Sequence, residues 1–513
     1  MDQRVAGMSW IEPFMGFAGL AHPAVLLAVA VGALTGVVIG VLPGIGPGVA
    51  IAVMLPLTYG MNPLAGITLL LGIYVGAYYG GAVTSILIRT PGEASSIMTM
   101  FDGAPMAERG EAERALSLAF ASAFVGGIVS ALVLAFVAAP VSQFTSRFGA
   151  AENFMAALLA MIFIARAYER QIAGAVMMIG LGLLIGTVGI DPTSNEQRFT
   201  FGLTALQTGL PLVPVVIGLF GVAQALVLLS SPPGERTAEP MAAFGKPRLE
   251  HFLEPLRYPR TLLRSLGIGT AIGILPGVGS ALSTTMSYFA ARRAAKQPES
   301  FGQGNPEGIV AAETANNANS GGAMLTVLTL GIPGDAITAI IMGVFIVHGI
   351  VPGPTLFTDQ PDLVYGIFAA LVSINIATML LLLVLARPFA RLSRLDPRWL
   401  GAAILALCFT GAYSTSSSMY GVWVALGAGV LGWACALGRL PVIPLVLGLV
   451  LGDILESTLR QSLSVSSGSW SIFFMRPIAA ALLAACALAV LQPLVRGLRL
   501  HWRAREARQQ ASS

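Results

Sequence analysis

The chain has 513 residues, 55% of them hydrophobic and only 11% charged, with a formal net charge of +4 and a mean hydropathy of +0.79. A soluble fold carries about 25% charged residues on average, so this composition excludes an ordinary soluble domain. The small positive charge lies largely in loops, where it speaks of topology and not of nucleic acid. The expectation is an all-α integral membrane protein in a lipid bilayer, with roughly 10–12 transmembrane helices including broken helices and hairpins.

In chain order, Met1 to His22 has one arginine and no compact apolar core before a small-residue cleavage site, so no removable signal peptide is read there. The first span starts near Pro23. Apolar stretches follow at 23–42, 49–80, 115–140, 153–190, 209–230, 262–290, 321–350, 364–386, 399–412, 420–438, 440–455 and 477–495. The most polar interior segment, Ser230 to Arg264, begins Pro232-Pro233-Gly234 and carries Arg236, Lys246, Arg248, Arg257, Arg260 and Arg264. The expected organisation is a first membrane repeat over 1–230 and a cytoplasmic linker over 231–260. A second repeat over 261–495 and a basic cytoplasmic tail over 496–513 complete it. Basic clusters at Arg292-Arg293-Lys296, at Arg387, Arg391, Arg394 and Arg398, and in the tail share the cytoplasmic side by the positive-inside rule.

The halves repeat one another. Gly40-Val-Leu-Pro-Gly-Ile-Gly46 matches Gly273-Ile-Leu-Pro-Gly-Val-Gly279. Gly80-Gly81-Ala82 with Pro91-Gly92-Glu93-Ala94 matches Gly321-Gly322-Ala323 with Pro333-Gly334-Asp335-Ala336. Pro211-Leu-Val-Pro214 matches Pro441-Val-Ile-Pro444. Separations of 233, 241–242 and 230 residues, in the same order, indicate a duplication. Two structural repeats, inverted in topology, are expected.

Glycine- and proline-interrupted segments at corresponding places in two halves point to a transporter binding site. Each break frees amide N–H groups, which suit a carboxylate, and carbonyls, which suit a sodium ion. Candidate substrate- or ion-binding positions are therefore Pro43, Gly44, Gly46 and Gly48, and Pro276, Gly277, Gly279 and Ser280. The other breaks contribute Gly80, Gly81, Pro91 and Gly92, and Gly331, Pro333, Gly334 and Asp335. The bland alternatives are a surface turn for the first pair and simple helix-start acids for Glu93 and Asp335. Asn316 and Asn317, in the run Glu313 to Gly322, are costly beside apolar sequence unless they bind something, the alternative being a polar loop before a helix. Arg89 either grips a carboxylate or snorkels to the interface. A coupling sodium ion has its expected place near Asn316, Asn317 and Asp335, and a proton is the other candidate. The cysteines Cys408, Cys435 and Cys486 and the four histidines have no metal-ligand spacing, and no enzyme motif is found, so neither a cofactor, a metal centre nor an enzyme is expected.

Across its whole length the sequence resembles the large membrane subunit of the tripartite tricarboxylate transporter family. The resemblance rests on Leu42 to Gly48, Tyr79-Gly-Gly81, Phe101-Asp-Gly-Ala-Pro-Met106, Asn305-Pro-Glu-Gly308, Ala315-Asn-Asn-Ala318, Leu330 to Gly334 and His348-Gly-Ile-Val-Pro-Gly-Pro354. It implies a sodium- or proton-coupled secondary transporter in the bacterial inner membrane. That transporter would import citrate or related di- and tricarboxylates delivered by a periplasmic solute-binding protein, together with a small membrane subunit. Arg89, where a small polar residue is commoner, and Thr326, where proline is, depart from the family pattern. The competing readings are a carboxylate carrier working without a binding protein, a membrane-embedded enzyme, and a non-transporting scaffold.

Overall fold

The computed structural model describes residues 12–42, 45–191, 194–230, 249–392 and 397–492. Pro43, Gly44, residues 231–248 of the expected linker, Arg394 and the basic tail lie outside the described residues. The chain is an all-helical integral membrane protein. Among the described residues nine helices are long and apolar enough to cross a bilayer, and four shorter apolar helices accompany them.

Four expected stretches are each two helices. The stretch 262–290 divides into Pro259–Ile274 and Gly279–Ala294, and 321–350 into Pro306–Leu330 and Ala336–Val347. The stretch 49–80 divides at Met61, because Asn62 caps a new helix, Pro63–Leu87, by accepting from the Leu64 N–H at 3.0 Å. The stretch 153–190 divides into Ala150–Ala167 and Ile172–Gly186. Residues 249–257, assigned to the linker, are folded against helix Ala112–Thr145. There Arg114 forms a two-bond fork with Glu254, and His251 Nδ1 lies 2.7 Å from Glu113.

The core is a pair of helix pairs. Helix Pro23–Val41 packs on Pro63–Leu87, and helix Pro259–Ile274 packs on Pro306–Leu330. Small residues let the backbones meet, as is common where lipid supplies no hydrophobic drive. A Cβ added at Gly36 would stand 2.6 Å from the carbonyl oxygen of Ile73, and one at Gly269 would stand 2.5 Å from that of Ala315. Gly36 and Gly269 are 233 residues apart, and Ile73 and Ala315 are 242 apart. The two halves therefore repeat their packing residue for residue. This equivalence corrects the sequence alignment by one position: Gly80 corresponds to Gly322, since each faces the Cα of its partner glycine, Gly40 or Gly273.

Helix Pro306–Leu330 contains Glu313, Asn316, Asn317 and Asn319, and every residue from Gly308 to Thr329 is buried. The asparagine run is thus an interior helix and not a polar loop. By contrast, only 22% of Arg398–Ser416 and 28% of Met419–Leu437 are buried inside the protein. These are outer helices, with Trp423 and Val430 directed outward.

The motif containing Asp102 ties the halves together. Its carboxylate accepts from the backbone N–H groups of Gly302, Gly304 and Asn305 at 2.8, 2.9 and 2.7 Å, and from the Tyr288 hydroxyl at 2.8 Å. Asn305 in turn caps helix Pro306–Leu330 through the Glu307 N–H at 2.8 Å. Replacing Asp102 by alanine strands three backbone donors, so Asp102→Ala is expected to lower the Tm in detergent by about 5 °C or more. A Tm unchanged from the parent would show that the clamp carries no stability.

Candidate functional site

The four breaks meet at one cavity of about 740 Å³. Its lining includes Gly46, Pro47 and Gly48 from the first break, and Gly92, Glu93 and Ser95 from the second. Gly277, Gly279 and Ser280 come from the third, and Asp335, Ala336 and Ile337 from the fourth. At each break a new helix begins: Pro47–Met54, the turn Ala94–Ser96 leading into Ile97–Met106, Gly279–Ala294, and Ala336–Val347. Pro47 sits in the first turn of its helix, where its missing N–H costs nothing. Glu93 and Asp335 are the N-caps of their turns, each with a capping box, to Ser96 and Thr338 respectively. Four helix starts thus turn their positive dipole ends to one space, and those at Pro47 and Gly279 have no side-chain cap, which favours an anion there.

The remaining wall is of another kind. Ala167, Tyr168, Phe220 and Ile443 come from the segments around helices Ala150–Ala167, Leu212–Leu229 and Val442–Val465. They are apolar or aromatic, and no lysine or arginine lines the cavity among the described residues. Polar contact would come from freed amides, from Ser95, Ser280 and Thr285, and from Tyr78. The Tyr78 hydroxyl is buried beside Ser280 and Tyr74.

Not every expected position reaches the lining. Gly80, Gly81, Pro91, Pro276, Gly331, Pro333 and Gly334 shape the breaks from behind. At Gly334 the carbonyl accepts from the Gly277 N–H at 2.8 Å and joins the two breaks of the second half. Gly331 ends helix Pro306–Leu330 in the left-handed conformation, φ +68°, which glycine adopts without a Cβ penalty. Asn316 and Asn317 lie one layer deeper, in the buried helix. The structure does not bring Arg89 to the cavity: its side chain is 60% exposed and pairs with Glu108 at 2.9 Å. Thr326 caps a break, its hydroxyl donating to the otherwise free carbonyl of Ile274 at 3.1 Å. Sequence reasoning missed Tyr74, Tyr78, Ser95 and the wall residues Tyr168 and Phe220. Only the tyrosines carried a signal, being polar-tipped residues at i and i+4 within an apolar helix.

A multi-pass helical protein whose duplicated helix breaks enclose a ligand-sized cavity is, by architecture, a membrane transporter. The model of the tripartite tricarboxylate transporter TctA family matches residues 26–447, and the chain belongs to that family. It is similar to a protein of Agrobacterium vitis described as an uncharacterized 52.8 kDa protein in the TAR-I ttuC' 3' region. The two are 37% identical over 488 residues, covering 94% of this chain and 97% of that protein. A second A. vitis protein, described by its place in the TAR-II ttuC' 3' region, is 36% identical over 234 residues, covering 45% of this chain and 97% of that protein. No solved structure matches.

Proposed function

We propose that the chain is the ion-coupled, substrate-translocating subunit of an importer for small di- and tricarboxylates in a bacterial inner membrane. A periplasmic binding protein delivers the substrate, and a small membrane subunit completes the assembly. The observation that carries this reading is the convergence of four helix starts on one cavity. Their partial charges, roughly half a unit each, offset a carboxylate's charge without a fixed cation that would hold it too tightly to release. A volume of 740 Å³ falls within the usual range of small-molecule sites, about 300–1,000 Å³.

The cavity lies between the breaks and the wall of Ala167, Tyr168, Phe220 and Ile443. Movement of the break-bearing regions of the two repeats along that wall would expose it to each side in turn, the alternating access of secondary transporters.

The test is uptake of labelled citrate and a panel of dicarboxylates into proteoliposomes. These hold the chain and its small subunit, with and without the cognate binding protein, under a sodium gradient. Uptake is expected only with both binding protein and gradient. Full uptake without the binding protein would convert the reading to a conventional carrier, and silence across the panel from folded protein would overturn the substrate class.

A further inference from the structure

The duplication supplies an internal control for the acids at the two hairpin tips. Asp335 is surrounded by donors. Its carboxylate accepts from the Tyr74 hydroxyl at 2.5 Å, from Asn319 Nδ2 at 3.3 Å, and from both the N–H and the hydroxyl of Thr338 at 2.8 Å. Glu93 is its counterpart, 242 residues earlier. The same separation that relates Glu93 to Asp335 relates Tyr74 to Asn316 and Leu71 to Glu313. Where the second tip meets the Tyr74 hydroxyl, the first tip meets the Asn316 amide, with the Glu313 carboxylate within electrostatic reach.

The surroundings of that first tip are rich in oxygen and poor in protons. Ser95 donates to Glu93, and Thr99 donates to one oxygen of Glu313. The other oxygen of Glu313 has no partner, nor has the amide oxygen of Asn316 or of Asn317, and all three residues are fully buried. The Asn316 amide stands beside Glu93. Residues 313, 316, 317 and 320 share one face of the helix, and Ser320 turns its hydroxyl onto the Asn317 carbonyl at 2.7 Å. Among the described residues no arginine, lysine or histidine pairs with Glu93 or Glu313. Buried carboxylates are paired with a cation or coordinate one, and unpartnered carboxylate and amide oxygens are the ligands of a hard cation.

We propose that Glu313, Glu93 and the amide oxygen of Asn316 form a sodium site behind the substrate cavity. The site rests on the ion-coupled reading above and gives it a place: Glu93 belongs both to the cavity lining and to the cation's oxygens. Sodium bound there would steady the first tip as the donors of Asp335 steady the second. Cation occupancy and the shape of the cavity are thereby coupled through one side chain.

The experiment needs no substrate. The purified full chain in detergent is unfolded thermally in sodium, potassium, choline, magnesium or calcium chloride, at pH 6 and pH 8. The parent is expected to gain about 3 °C or more in 100 mM sodium over choline, at both pH values. Glu313→Gln and Asn316→Ala are expected to lose that gain while keeping a monodisperse elution profile in choline. Glu313→Asp should retain it with a sodium midpoint about tenfold higher. A sodium gain persisting in both Glu313→Gln and Asn316→Ala would overturn the site, as would stabilisation by acid, potassium or a divalent cation in place of sodium. A sodium gain that Glu313→Gln removes, in a protein silent in the uptake panel, would retain the site and reject the carboxylate reading.

Discussion

Gly334→Ala is expected to abolish uptake and to lower thermal stability together. A Cβ at position 334 would stand 2.5 Å from the carbonyl oxygen of Gly273 and 2.6 Å from the Cα of Ala323. Both are backbone atoms of buried helices, so neither can yield as a flexible side chain would. Relief requires the tip to lift off the helix pair, which breaks the Gly277 N–H bond to the Gly334 carbonyl and opens the cavity wall. Overpacking of this kind costs about 1–3 kcal/mol, and more where rigid backbone must yield. Gly92→Ala should behave alike, because its Cβ would meet the Gly40 carbonyl and stand 2.7 Å from the Gly81 Cα. The control is Gly427→Ala, on an outer helix where an added Cβ meets nothing within 4 Å. Uptake is measured in proteoliposomes and unfolding in detergent. If Gly334→Ala matched Gly427→Ala in both, the tips would not be held by backbone contact.

Much of this architecture was legible because glycine and proline punctuate a chain that is otherwise apolar. Leu42 to Gly48 and Leu275 to Ser280 announce breaks by composition, and repeating them announces a cavity between halves. What the sequence could not show is which neighbours arrive from far along the chain. Asn316 and Asn317 left a polar loop before a helix as the alternative to ligand binding, and only burial among partners from the other half places them inside the helix. Asp102 stood out as part of a motif, but its function as a clamp depends on amides about 200 residues away. Arg89 ends an apolar run and so looked like a membrane-depth charge, yet its partner Glu108 lies 19 residues on, at the surface. The Gly-Gly match slipped by one residue because a separation of 241 aligns both glycines, whereas the helix contacts set Gly80 against Gly322 and Gly81 against Ala323.

The Tyr74–Asp335 hydrogen bond, 2.5 Å long, links the two halves, and a double-mutant cycle on it is expected to show strong coupling. Asp335→Ala removes the cap of helix Ala336–Val347 and leaves the Tyr74 hydroxyl, the Asn319 amide and the Thr338 N–H without an acceptor in a buried place. A cap is worth about 1 kcal/mol, and each stranded buried donor costs about 1–3 kcal/mol. The tip that presents Asp335 and Ala336 to the cavity then loses its fixed position. Uptake should fall by about 100-fold or more, a change of about 2.7 kcal/mol in the barrier. Tyr74→Phe removes one donor from an acid that keeps three others, so its expected loss is nearer tenfold. In the Asp335→Ala background the hydroxyl has no acceptor to serve, and Tyr74→Phe should change uptake little, or restore some of it. The coupling separates a tip held by the other half from one held only by its own capping turn. If the two losses multiply instead, each residue acts alone, and the first half steadies the second tip by packing without this bond.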